Sequence, residues 1–129
     1  MPETNLFFVY GTLKSGYGNN RLLEDQTMIG TAISKRKYAL TGNGIPYATL
    51  NDAAGKPVLG EIWQVDDPRA VASLDALEGN GSFYTRHERE FVLDVEGKKV
   101  TAWIYEIPRE TNAPPCNVDE ERDAYYWSR

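Results

Sequence analysis

Two places in this chain combine residue types and spacing that could do chemistry: a glycine turn at the end of an apolar strand, and a carboxylate at the end of an amphipathic helix. In Phe7-Phe8-Val9-Tyr10-Gly11-Thr12-Leu13-Lys14-Ser15-Gly16 the apolar run stops abruptly at Gly11. Glycine permits a sharp turn and close approach of a ligand, and successive N–H groups in such a turn form a concave nest for a carboxylate or phosphate. Gly11, Thr12 and Leu13 are therefore candidate anion-binding residues; the plainer alternative is that Gly11 only ends the strand. The second place is Glu78. In Asp67-Pro68-Arg69-Ala70-Val71-Ala72-Ser73-Leu74-Asp75-Ala76-Leu77-Glu78-Gly79, Asp67 suits an N-cap, Pro68 the first helical position and Gly79 the stop. Val71, Leu74 and Glu78 fall on one face at i, i+3 and i+7, so Glu78 shares the stripe that seeks the core. It also meets the negative end of the helix dipole. Both placements push a carboxyl pKa above its free value of about 4.3, as a group exchanging protons near neutrality requires. The alternative is that Glu78 turns outward or pairs with Arg86 or Arg89.

The elements that must position these groups are mostly strands. Leu6–Tyr10, an unbroken apolar run, predicts a strand buried on both faces. A short helix over Asn20–Asp25 follows, and then candidate strands at Thr27–Ser34, Lys37–Leu40, Tyr47–Leu50 and Val58–Val65, separated by turn formers at Gly42-Asn43-Gly44 and Asp52-Ala53-Ala54-Gly55. After the Pro68–Glu78 helix, Phe83–Val95 and Lys98–Ile107 read as a long hairpin with Glu96-Gly97 at its tip. Many short strands with few inserted helices predict an α+β fold, a largely antiparallel sheet curled into a barrel. The segment from Pro108 to Arg129 differs in character, with Pro114-Pro115, a charged run at Asp119–Asp123 and an aromatic end at Tyr125-Tyr126-Trp127. It is expected to pack less like the rest, its aromatic end docking on its own domain.

Length and charge narrow the function. A chain of 129 residues is one domain, residues 1–129, with a core over about 6–107 and a C-terminal tail over 108–129. The net charge is −5, and the longest basic block is Lys35-Arg36-Lys37, which argues against nucleic acid or an anionic membrane as partner. Cys116 is the sole cysteine and no apolar span reaches transmembrane length, so a cytoplasmic protein acting on small molecules is expected. With one histidine, His87, and one cysteine, neither a zinc site nor a Cys-His pair has supporting spacing. Gly11 to Gly16 is followed by Tyr17-Gly18 where a phosphate loop needs Lys-Ser/Thr, and no Gly-x-Ser-x-Gly elbow occurs. Tyr10, Tyr84 and Tyr105 are candidate pocket-lining residues, although strand tyrosines also serve simply as core or edge residues. Arg86 either touches substrate or pairs with an acid, the alternating charges of Arg86–Glu90 favouring the pair. Asn20 fits a helix start. Glu61 is a cross-strand partner unless it reaches the cavity of Glu78, which makes it the second candidate carboxylate.

Taken in order, Tyr10-Gly11-Thr12-Leu13, Asn20-Arg21-Leu22-Leu23, Gly60-Glu61-Ile62-Trp63, Leu74–Gly79, Tyr84-Thr85-Arg86 and Ala102-Trp103-Ile104-Tyr105 resemble the gamma-glutamylcyclotransferase-like family, most closely its small single-domain members such as the gamma-glutamylamine cyclotransferases. The resemblance spans about residues 6–107 and leaves the tail outside. It implies a small mixed β-barrel with two or three flanking helices, and a reaction in which the α-amine of a gamma-glutamyl compound attacks its own γ-carbonyl, releasing an amine and closing 5-oxoproline. By the same resemblance the backbone of Gly11, Thr12 and Leu13 holds the substrate α-carboxylate, Glu78 is the general base and acid, and no metal or cofactor is required. The leaving amine and the oligomeric state stay open, as does a binding module or scaffold that uses the same pocket without turnover.

Overall fold

A computed structural model describes residues 5–11, 13–42, 46–78, 84–108 and 115–128, with Gly18 and Glu78 described by their backbone alone. Five strands close a barrel in the order β1 (Leu6–Val9), β5 (Leu59–Gln64), β2 (Thr27–Ser34), β6 (Thr85–Leu93), β7 (Lys99–Glu106). Every pairing is antiparallel except the closing one, where β1 meets β7 in parallel through Phe7 and Trp103. Closure pairs every strand of the barrel on both sides, which is the physical gain of a barrel over an open sheet.

Alternation along β1 divides its side chains between two cores. Phe8 and Tyr10 join Ile62, Phe91, Ala102 and Ile104 in one cluster, while Phe7 and Val9 join Leu13, Leu23, Trp63 and Leu74 in another. The second cluster is where the helical elements dock. A 3-10 helix, Gly18–Leu23, stands where a short helix over Asn20–Asp25 is expected, and α1 spans Pro68–Glu78. Asp67 caps α1, its Oδ1 accepting from the Arg69 N–H at 2.9 Å. Leu74 is fully buried whereas Leu77 is 44% exposed, so the buried stripe runs through Val71 and Leu74 and excludes Leu77.

Of the four strands expected in the middle of the chain, only β2 and β5 enter the barrel. The other two, β3 (Tyr38–Gly42) and β4 (Pro46–Leu50), form a separate ribbon. One face of that ribbon places Tyr38, Leu40 and Ala48 in the barrel cluster, and Ala48 accepts a backbone bond from Ile107 at 2.9 Å. At this junction the buried Glu106 accepts from the Tyr38 hydroxyl at 2.6 Å and from the Arg89 guanidinium at 3.0 and 3.1 Å. The hairpin tip falls where expected: Leu93 N–H donates to the Lys98 carbonyl at 2.8 Å across the turn Asp94–Gly97, in which Glu96 and Gly97 both take positive φ, 66° and 62°.

The aromatic end of the C-terminal segment docks on its own domain as expected, and the segment is more ordered than its composition predicts. It forms β8 (Asn117–Asp119) and β9 (Ala124–Tyr126), buries Ala124 and Trp127, and contributes Trp127 to the barrel cluster. Proline and charge set its composition apart, but an indole and a strand's worth of backbone bonds, including Tyr125 N–H to the Pro57 carbonyl at 2.8 Å, fix it to the domain. Among the described residues no helix is long and apolar enough to cross a membrane.

Candidate active site

The turn after β1 is held from several directions. The Lys14 N–H donates to the Gly11 carbonyl at 3.0 Å, and the Asn20 side-chain amide donates to the Leu13 carbonyl at 2.8 Å. Asn20 thus does more than begin a helix: it ties the 3-10 helix back to the turn. Ser15 is gripped by Glu61, whose Oε1 accepts from the backbone N–H at 2.8 Å and whose Oε2 accepts from the hydroxyl at 2.7 Å. Gly11 is glycine for a different reason than conformational freedom. Its φ is not left-handed, but a Cβ there would lie 2.7 Å from Pro46 Cγ, so its bare backbone is what lets β4 pack against the turn. Thr12 lies outside the described residues.

All three candidate tyrosines are buried, and each spends its hydroxyl on a neighbour. Tyr10 donates to the Tyr105 carbonyl at 2.6 Å, Tyr84 to the Pro46 carbonyl at 2.8 Å, and Tyr105 to Asp75 Oδ1 at 2.6 Å. Tyr84 also stacks on Tyr47, with ring centroids 6.0 Å apart. The bonds of Tyr10 and Tyr84 run from β1 to β7 and from the start of β6 to the start of β4, so these rings bolt together the strands around the turn.

The carboxylates take distinct positions. Glu61 is buried and also accepts from Trp63 Nε1 at 3.1 Å. Asp75, a residue that helix patterning did not single out, accepts from Tyr105 and lies 3.4 Å from Arg86 Nε. The Arg86 guanidinium sits over Trp103 at 4.4 Å and Phe7 at 5.5 Å, so the expected acidic pair exists and is embedded in aromatic faces. Arg89, considered as a partner for Glu78, is engaged with both oxygens of Glu106. The side chain of Glu78 lies outside the described residues, as do Gly79 and Phe83. Asp75 was legible in one respect only, as an acid one turn before Glu78. Its partners come from β6 and β7, which no local pattern connects to α1.

Lys14 supplies the positive charge nearest the turn. Its ammonium donates to the Trp127 carbonyl at 2.7 Å and faces the Tyr17 ring at 5.5 Å. Burial lowers its pKa, and the charge of Glu61 opposes that shift. Backbone amides at the turn and a half-buried cation beside it suit a ligand carrying a carboxylate.

Relatives of known name share this arrangement of chain. Residues 7–128 match the model of the family described as gamma-glutamyl cyclotransferase, AIG2-like. The match takes in the tail, which the sequence resemblance had left out. The chain is 36% identical over 102 residues to a provisionally named gamma-glutamylcyclotransferase of Methanocaldococcus jannaschii, covering 78% of this chain and 82% of that one. It is 35% identical over 99 residues to the gamma-glutamylaminecyclotransferase of Rattus norvegicus, covering 70% of this chain and 66% of that protein. Among solved structures, an AIG2-like protein from Mus musculus superposes with a TM-score of 0.78 at 25% identity, covering 99% of this chain and 98% of that one. The chain belongs to the gamma-glutamyl cyclotransferase, AIG2-like family.

Proposed function

We propose that the protein cleaves a gamma-glutamyl amine or gamma-glutamyl amino acid into 5-oxoproline and the free amine, with Glu78 as general base and acid. The observation that carries the reading is the shared packing of Leu13, from the turn, with Leu74, which precedes Glu78 by four residues in α1. Membership of one core cluster sets α1 and the loop assigned to the substrate α-carboxylate on the same core, which supports the reading. By the family resemblance the carboxylate is assigned to the amides of Gly11, Thr12 and Leu13, and the next two amides, of Lys14 and Ser15, are committed within the protein. Tyr84 and Tyr105, which share that cluster, are assigned to the pocket wall, and Tyr10, in the barrel cluster, braces it through its bond to the Tyr105 carbonyl.

The α-amine attacks the γ-carbonyl carbon, the C–N bond to the leaving amine breaks, and Glu78 takes a proton from the nucleophile and returns it to the departing nitrogen. Holding the amine against the carbonyl is the larger contribution, because alignment in an intramolecular closure supplies about 7–11 kcal/mol in favourable cases. The other acids near the turn and α1, Glu61 and Asp75, both serve as hydrogen-bond acceptors for protein groups, which supports assigning proton exchange to Glu78.

The test incubates the protein with gamma-glutamyl amines, gamma-glutamyl amino acids and glutathione and follows 5-oxoproline, beside folded Glu78→Gln. Turnover by the wild type that falls by about 10²–10⁴ in the variant is the expected result. Product from neither protein would favour a binding module, and equal turnover by both would remove Glu78 from the mechanism.

A further inference from the structure

We infer that Glu61 is a positioning residue whose carboxylate holds the turn in its substrate-binding shape and exchanges no proton in the reaction. The inference rests on the assignment of the Gly11–Leu13 turn to the substrate α-carboxylate. Glu61 lies on β5 directly opposite Val9, two residues before Gly11, so the register of the barrel delivers its side chain under the turn. Only 8% of it is exposed. Three donors converge on it: the Ser15 N–H at 2.8 Å, the Ser15 hydroxyl at 2.7 Å and Trp63 Nε1 at 3.1 Å. Trp63 fixes the carboxylate from β5, two residues along its own strand, and the carboxylate fixes the turn. Charge-assisted bonds of this kind are stronger than neutral ones, and leaving the buried Trp63 N–H empty is costly.

The turn needs such a hold because space lies behind it. A cleft of about 380 Å³ is lined by Lys14, Glu61 and Tyr126 together with the barrel wall at Ala32, Leu59 and Gly60. Lys14 and Glu61 border that open space, so without the clamp the turn is less restrained beside it and its amides lose their aim. Lys14 is tied on the same side to the Trp127 carbonyl, so Glu61 also faces a desolvated cation that stays in place.

The hydrogen-bond pattern separates positioning from proton exchange. Glutamine at 61 can keep all three contacts, its oxygen accepting from Ser15 N–H and Trp63 and its amide donating to the Ser15 hydroxyl. Methionine keeps the volume and accepts none of them. The experiment measures kcat and KM for 5-oxoproline release, the Kd of L-glutamate by NMR titration, and hydrogen exchange at the Ser15 amide, in wild type, Glu61→Gln, Glu61→Met and Ser15→Ala. The expected result is KM and Kd within about threefold of wild type for Glu61→Gln, a rise of about tenfold for Glu61→Met with kcat within about twofold, and faster Ser15 exchange in Glu61→Met alone. Ser15→Ala, which removes one bond at an exposed residue, gives an intermediate rise and covers the case in which Glu61→Met does not fold. A collapse of kcat in Glu61→Gln would overturn the inference by making Glu61 the proton-exchanging acid, as would unchanged Ser15 exchange in Glu61→Met. A wild type that binds glutamate without turnover removes the enzymatic reading, and the Kd ratios then support or overturn the clamp on their own. A wild type that neither binds nor turns over overturns both.

Discussion

Removing the Trp127 indole probes whether the C-terminal segment is part of the folded unit or a loose appendage. The ring is 4% exposed, belongs to the barrel cluster and lies 5.0 Å from the Tyr17 ring, so Trp127→Ala deletes a large side chain from a packed site. Such truncations cost about 3–5 kcal/mol. For a chain of 129 residues, an unfolding entropy of about 2.1 cal/mol/K per residue converts that loss into a fall in Tm of about 11–18 °C. Trp127→Ala leaves the backbone carbonyl that accepts from Lys14, whereas a chain ending at Tyr126 removes it as well. The second change adds a loss at the low end of the about 1.5–3 kcal/mol typical of a charged hydrogen bond, because the half-buried ammonium can recruit water. Repeating both in a Lys14→Met background closes the cycle and isolates the Lys14–Trp127 coupling. Far-UV circular dichroism under urea and thermal unfolding reads the stabilities without depending on the deleted fluorophore. A loss below about 1 kcal/mol for Trp127→Ala would refute the argument that the segment is bound into the core.

Alkaline titration should weaken the fold through Tyr38. Burial, and then the charge of Glu106, raises its pKa above the ordinary tyrosine value, so the folded state keeps a proton that the unfolded chain sheds above about pH 10. The unfolded state then binds fewer protons, and stability falls with rising pH by up to about 1.4 kcal/mol per pH unit. Urea melts from about pH 9.5 to 11.5 should show this slope in wild type and its absence in Tyr38→Phe, and parallel curves would count against it. Gly11→Ala should destabilise by about 1–3 kcal/mol and raise KM, since the added methyl overlaps the Pro46 ring and either β4 or the turn must shift. A variant as stable as wild type with unchanged KM would show that the contact is easily relaxed.

Local chemistry was readable from the sequence. The bounds of α1 follow from Asp67, Pro68 and the apolar stripe, and the β6–β7 turn from Glu96-Gly97, because each is decided by residues within one or two turns of chain. Buried strand β1 and the strand-rich barrel are legible for the same reason, as hydrophobic period and turn chemistry act over short spans. The tertiary structure decided which strands close the barrel and which form the capping ribbon. It also paired Asp75 with Tyr105 and Arg86, turned Glu61 toward Ser15, and assigned the glycine at 11 to contact with Pro46. It decided as well how the tail docks, through β8 and β9 and Trp127 in the barrel cluster. These contacts join residues far apart in sequence, 46 positions for Ser15 and Glu61 and 113 for Lys14 and Trp127. A carboxylate's partner at that separation is set by strand register and barrel closure, and neither composition nor periodicity encodes the identity of a neighbour that only the folded chain brings within 3 Å.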